Sequence, residues 1–122
     1  MLIEYVAAER KDGHLTRKWF GDSYFDLYCW LDDKGSIHKF QLCYDKSHDE
    51  HALTWIQPST YYHQRVDDGE NRPGKSKASP VLIPDGMFDF HTVAERFLRE
   101  SKQINHEIAQ FVHMKLLEFG KR

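Results

Sequence analysis

Two apolar, aromatic-rich runs on either side of a short polar segment constrain the fold of this chain most strongly. They lie within residues 24–44, YFDLYCWLDDKGSIHKFQLCY, and the polar segment is 32–36, DDKGS. Side chains alternate between the two faces of a β-strand, and both runs carry an apolar set that largely follows this alternation. The pattern predicts a long β-hairpin at the centre of a sheet, with Gly35 supplying the positive φ that its turn needs.

The same alternation predicts the register of the hairpin. A slip of one residue would move every side chain to the other face, so the two apolar sets meet in one register only. The predicted cross-strand pairs are Phe25 with Tyr44, Leu27 with Leu42, and Cys29 with Phe40. This register requires a loop with an even number of residues. It also places Cys29 and Cys43 on opposite faces, whereas a disulfide needs Cα atoms within about 7 Å, so we expect two free thiols.

Strand-like runs surround the hairpin, and helical patterns come last. The predicted strands outside the hairpin are 2–9, 15–20, 51–57, 61–66 and an edge strand between prolines, 80–84. Apolar residues at helical spacing predict helices over 89–101 and 105–119, with Asp89 and Asn105 as N-caps. This order predicts an α+β fold, an antiparallel meander of about five to seven strands with two C-terminal helices packed on one face.

Composition predicts one ordinary globular domain over residues 1–122. Charged residues make up 30% and hydrophobic residues 40%, and the net charge of −2 gives no electrostatic argument for nucleic acid or an anionic membrane. No apolar run approaches the roughly 20 residues of a membrane span, and the first residues lack the pattern of a signal peptide. Two unpaired cysteines fit a reducing compartment. We therefore expect a cytoplasmic protein with no cofactor and with no nucleic-acid or membrane partner.

Polar loop residues form the first candidate site. The loops 45–51 and 67–75 should emerge at the same end of the meander, because two strands separate them. The candidates are Asp45, His48, Asp49, His51, Asp67, Arg72 and Lys75. The two histidines with a carboxylate match part of a zinc ligand set, and the basic residues suit an anion. A solvated, salt-bridged loop end is the alternative that we favour, since no HExxH, CxxC or P-loop motif supports a site.

The cysteines and the remaining histidines suggest possible chemistry, but each also has an ordinary structural explanation. Cys43 lies close in sequence to His48 and His51, an arrangement that can activate a thiol, but a buried cysteine usually fills space in a sheet. The chain has eight histidines, scattered over predicted strands, loops and helices. His106 and His113 are seven positions apart on a helix whose apolar residues already explain it as core. Whether the protein is an enzyme stays open.

The other face of the central hairpin predicts an interface. Aromatic residues make up 14% of the chain, too many to lie entirely beneath two helices. Tyr24, Tyr28 and Trp30 alternate with the buried set and are expected on the opposite face. An exposed apolar patch of a few hundred Å² usually marks an interface, and a symmetric homodimer is the commonest oligomer. We expect a binding or self-associating module with an unknown small-molecule ligand, if any; the alternative is a small enzyme or a metal- or anion-binding protein at the polar loops.

Two segments, FDLYCWLDDKGSIHKFQLCYDKSHDEHALTW and RVDDGENRPGKSKASPVLIPDG, resemble small hypothetical proteins from bacterial genomes. That group has no assigned activity. The resemblance extends from about Trp19 to Phe97, which is most of the chain. It implies a stand-alone bacterial protein and carries over no catalytic or binding residue.

Overall fold

The computed structural model describes residues 1–66, 81–82 and 89–121, which form eight strands and two helices. The strands are β1 Ile3–Glu4, β2 Arg10–Asp12, β3 Leu15–Gly21, β4 Phe25–Leu31, β5 Ile37–Tyr44, β6 His51–Ile56, β7 Thr60–Arg65 and β8 Val81–Leu82. The helices are α1 Phe90–Glu100 and α2 His106–Gly120. Strands first and helices last is the α+β arrangement that the sequence predicts.

The strands form an antiparallel meander. Their order is β1-β3-β4-β5-β6-β7-β8, with β2 also paired to β3. From β3 to β7, strands that follow one another in sequence lie side by side, as short connections favour, and β8 pairs with β7. The predicted strand over 2–9 is wrong in its second half, because Val6–Ala8 close a 3-10 turn between β1 and β2. After this turn, β2 pairs with β3.

The register of the central hairpin is confirmed at all three predicted pairs, Phe25 with Tyr44, Leu27 with Leu42, and Cys29 with Phe40. The even-numbered loop is wrong. Trp30 pairs with Lys39 but Leu31 pairs with Ile37, so His38 is the extra residue of a β-bulge. The loop therefore has five residues, 32–36.

Asp32 explains why this loop is favoured. Its carboxylate accepts hydrogen bonds from the backbone N–H groups of Lys34 at 2.9 Å and Ser36 at 3.0 Å. The second carboxylate oxygen lies 2.9 Å from Nε2 of the bulged His38. Gly35 takes a φ of +85°, as the turn chemistry predicts. A single side chain therefore organises the turn and the bulge together.

Both helices pack on one face of the sheet. Phe97 of α1 meets Phe25 edge to face at 5.7 Å between ring centroids, and Phe111 of α2 meets Trp55 in the same way at 5.1 Å. Asp89 and Asn105 cap the helices as predicted, accepting hydrogen bonds from backbone N–H groups three residues further on. Neither helix is long and apolar enough to cross a membrane.

Candidate functional site

The predicted polar site is only partly visible. Asp67, Arg72 and Lys75 fall outside the described residues. The other four do not converge: Nδ1 of His48 lies 3.5 Å from the Asp45 carboxylate, whereas His51 Nδ1 lies 2.7 Å from the backbone oxygen of Asp49. The Asp49 carboxylate instead faces Arg65 at 3.6 Å. Within the described ranges no three His, Cys, Asp or Glu side chains are placed to hold a metal ion.

His51 instead belongs to an aromatic cluster on the helix side of the sheet. Its ring stacks on His63 at 5.4 Å and on Tyr44 at 5.7 Å, and Phe119 of α2 lies 5.9 Å from His63. The Tyr44 hydroxyl and His63 Nε2 are 2.8 Å apart and buried. Burial, with a smaller effect of His51, lowers the pKa of His63 to about 4, and burial raises the pKa of Tyr44. The pair is therefore neutral near pH 7, which suits core packing better than acid–base chemistry.

The two cysteines are free and buried, as predicted. Burial raises the pKa of the Cys43 thiol to about 12, with the Glu50 and Asp26 carboxylates adding to the effect. A nucleophilic cysteine needs a lowered thiol pKa, so this environment opposes such a role for Cys43. The position of Cys43 in β5 fits a small side chain that fills space in the sheet.

Tyr24 does not share a face with Tyr28 and Trp30, contrary to the prediction. It precedes β4, so the alternation of that strand does not apply to it. Its ring packs against the helix side, where the guanidinium carbon of Arg96 in α1 lies 3.6 Å from the ring centroid. The predicted interface therefore retains two of its three residues.

The sheet face turned away from α1 and α2, here called the outer face, carries a row of side chains across five strands. The row runs Trp19, Tyr28, Gln41, Thr54 and Tyr62, each the cross-strand partner of the next. Tyr28 stacks on Trp19 with ring centroids 5.5 Å apart, and Tyr62 is 46% exposed. Two aromatic groups therefore flank a short polar centre, in which Gln41 donates a hydrogen bond to the Thr54 hydroxyl at 3.1 Å.

Cations accompany the aromatic rings of the outer face. The next row contains Arg17, Trp30, Lys39 and Ile56 as successive partners. The Lys39 ammonium lies 4.5 Å from the centroid of Trp30, and the Arg17 guanidinium carbon lies 5.6 Å from that of Tyr28. Neither cation makes an ion pair with another described residue.

A shallow groove of about 570 Å³ opens at the Trp19 end of the outer face, and we call it the Trp19 groove. Its lining residues are Tyr5, Val6, Ala7, Ala8, Arg10, Trp19, Asp26 and Lys46. The Asp26 carboxylate accepts the indole N–H of Trp19 at 3.0 Å and faces the Lys46 ammonium at 3.2 Å. The Asp26 carboxylate, the acid among the described residues that line the groove, is therefore already paired with a cation.

Gly21 permits the close packing beneath this groove. A Cβ atom at Gly21 would lie 2.7 Å from a carboxylate oxygen of Asp26 and 3.0 Å from the Tyr5 ring. The Tyr5 ring meets Trp19 edge to face at 4.8 Å. The small residue thus lets two aromatic walls and an acid meet at one point.

Comparison with protein-family models, with curated proteins and with solved structures finds no match. The alternation of β4 correctly placed Tyr28 and Trp30 on the outer face, but Trp19, Tyr62 and Tyr5 were missed as members of one surface. Strand alternation within β3 places Trp19 and Arg17 on the same face, and this much could be predicted from the sequence. The alignment of Trp19 with Tyr28 depends on the β3–β4 register, which was not predicted.

Proposed function

We propose that the protein is a binding module whose binding surface is the outer face of the sheet. The observation that carries this proposal is the row of Trp19, Tyr28 and Tyr62 on the face opposite both helices. Large aromatic side chains provide much of the binding energy at protein interfaces. Each removes a large apolar area from water, and only a few rotatable side-chain bonds lose their freedom when it is buried.

The hydrogen bonds of the two outer indoles support the same proposal. Trp19 donates its indole N–H to Asp26 at 3.0 Å, and Trp30 donates to Asp12 at 2.8 Å. Each indole therefore has its polar atom satisfied inside the protein. A partner that covers these rings does not have to supply a hydrogen-bond acceptor for them, which lowers the cost of burying them.

A second copy of the chain is the occupant that we propose for the broad outer face. A two-fold axis near Gln41 would place the Tyr62 end of one copy over the Trp19 end of the other. This arrangement separates Arg17 from the same residue of the partner and brings it near the Tyr62 ring. We further propose a bacterial, cytoplasmic protein, a location supported by its two free, buried cysteines.

Sedimentation velocity of two matched variants tests the homodimer. Tyr62→Asp places a charge on the outer face, and Leu98→Asp does the same on α1, where Leu98 is 44% exposed against 46% for Tyr62. We expect the wild type to dimerise at high micromolar concentration. Tyr62→Asp should weaken dimerisation at least about ten-fold, as for an aromatic contact that the interface buries, whereas Leu98→Asp should not. A monomeric wild type, or equal effects of both variants, would remove the homodimer from the proposal.

A further inference from the structure

We infer that the Trp19 end of the outer face binds a small aromatic ligand that carries a phosphate group, of the nucleoside monophosphate type. The inference rests on the proposed function, since it names a ligand class for one end of the same face, and this ligand and a second copy of the chain would compete for that end. Two observations carry it: a pair of opposed arginines with no acidic ion-pair partner among the described residues, and an aromatic groove directly beside them.

The arginine pair provides the site for the anion. Arg10 of β2 and Arg17 of β3 are directly opposite each other in antiparallel register and therefore point to the same face. Like charges in this position repel, and neither guanidinium forms an ion pair within the part of the chain that the structure describes. Nε of Arg17 is buried and has no hydrogen-bond partner among those residues. An anion held between the two side chains would relieve the repulsion.

The Trp19 groove provides the site for the ring. Tyr5 and Trp19 form walls set at 72° to each other, and the 3-10 turn contributes the small apolar residues 6–8. Its volume of about 570 Å³ lies within the range of sites for small ligands. Arg10 lines this groove and is also the cross-strand partner of Arg17. One ligand can therefore place a ring in the groove and its anionic group at the arginine pair.

The charge of the surface favours a phosphate over other anionic groups. Two guanidinium groups present up to about ten N–H donors in planar forks, and a phosphate monoester offers three acceptor oxygens and a charge near −2. Of the nearby carboxylates, Asp26 is paired with Lys46, whereas Asp12 accepts the neutral Trp30 indole N–H and keeps its negative charge. This local arrangement is not visible in the net charge of −2 of the whole chain.

Calorimetric titration with AMP, adenosine and inorganic phosphate tests the inference. We expect AMP to bind more tightly than either half of the molecule alone, with an affinity that falls as salt is added. Arg10→Gln and Arg17→Gln should each weaken AMP binding by about ten-fold or more, because each removes charge-assisted hydrogen bonds. Arg99→Gln is the matched control, since Arg99 lies on α1 with 62% of its side chain exposed and should leave the affinity unchanged.

The ring contact has its own readout in the three indole N–H signals of a ¹⁵N-labelled sample. AMP should shift the Trp19 signal and leave that of Trp55, which is 3% exposed on the helix side. The inference would be overturned if AMP did not bind at millimolar concentration, or if Arg10→Gln and Arg99→Gln weakened AMP binding equally. A short oligoadenylate that binds more tightly than AMP, with the same sensitivity to Arg10→Gln, would support the chemistry and identify a single strand as its source. Dimerisation through Tyr62 without AMP binding would reject this inference and leave the proposed function standing.

Discussion

Acid should destabilise this protein through His63 over a defined pH range. His63 is 6% exposed in β7, and its ring contacts those of both Tyr44 and His51. Burial disfavours the charged imidazolium and lowers the pKa of His63 from 6.5 to about 4 in the folded protein. The unfolded chain keeps the ordinary value, so it binds a proton at a pH where the folded protein does not.

The sign and size of the effect follow from this difference. Above pH 6.5 both states hold a neutral imidazole, and His63 adds no pH dependence. As the pH falls from 6.5 to about 4 the unfolded state gains the proton first, and the free energy of unfolding decreases. One pKa unit is worth about 1.4 kcal/mol, so the loss reaches at most about 3.5 kcal/mol. The free energy of unfolding of a typical domain is roughly 5–15 kcal/mol, so this loss is a large part of it.

Urea unfolding at several pH values between 7 and 4 measures this loss. His63→Gln keeps a polar side chain near the Tyr44 hydroxyl but cannot titrate, so its stability should fall less steeply with pH than that of the wild type. His48→Gln is the control, because 80% of the His48 side chain is exposed and its removal should leave the slope unchanged. Equal slopes for the wild type and His63→Gln would refute a buried, neutral His63.

Three further predictions concern the fold. Cys29 and Cys43 should resist a thiol reagent at neutral pH in the native protein and both react once the chain is unfolded, because burial raises their pKa; fast native reaction would contradict their placement. Asn105→Ala should lower the free energy of unfolding by about 1 kcal/mol, since the N-cap hydrogen bond to Ile108 is lost, and an unchanged urea midpoint would count against that cap. Gly35→Ala should cost about 1–2 kcal/mol, because alanine is strained at a φ of +85°, and thermal unfolding measures the difference.

The central hairpin shows how far sequence alternation reaches. The three predicted pairs are confirmed because an apolar set fixes the register wherever one face is buried. The loop length was wrong because the bulge at His38 depends on hydrogen bonds that Asp32 makes across the turn. Strand alternation assumes two regular strands. It therefore cannot predict a bulge residue that is stabilised by a side-chain hydrogen bond.

The candidate sites show where such reasoning stops. Tyr24 was placed on the wrong face because β4 begins one residue later, at Phe25, and a pattern of period two fails beyond the end of a strand. Arg10 and Arg17 were not recognised as a pair, since their register depends on a turn and a short strand between them. The helix caps were predictable because a cap needs only its own side chain and the next turn of backbone.

The most direct test of the outer face is the response of the three indole N–H signals to protein concentration. Trp19 and Trp30 lie on the outer face, whereas Trp55 is buried on the helix side and serves as an internal control. If the outer face is the binding surface and a second copy occupies it, dilution from millimolar to low micromolar concentration should shift the Trp19 or Trp30 signal and leave Trp55 fixed. Concentration-dependent shifts confined to α1 and α2, with both outer indoles unchanged, would contradict the account.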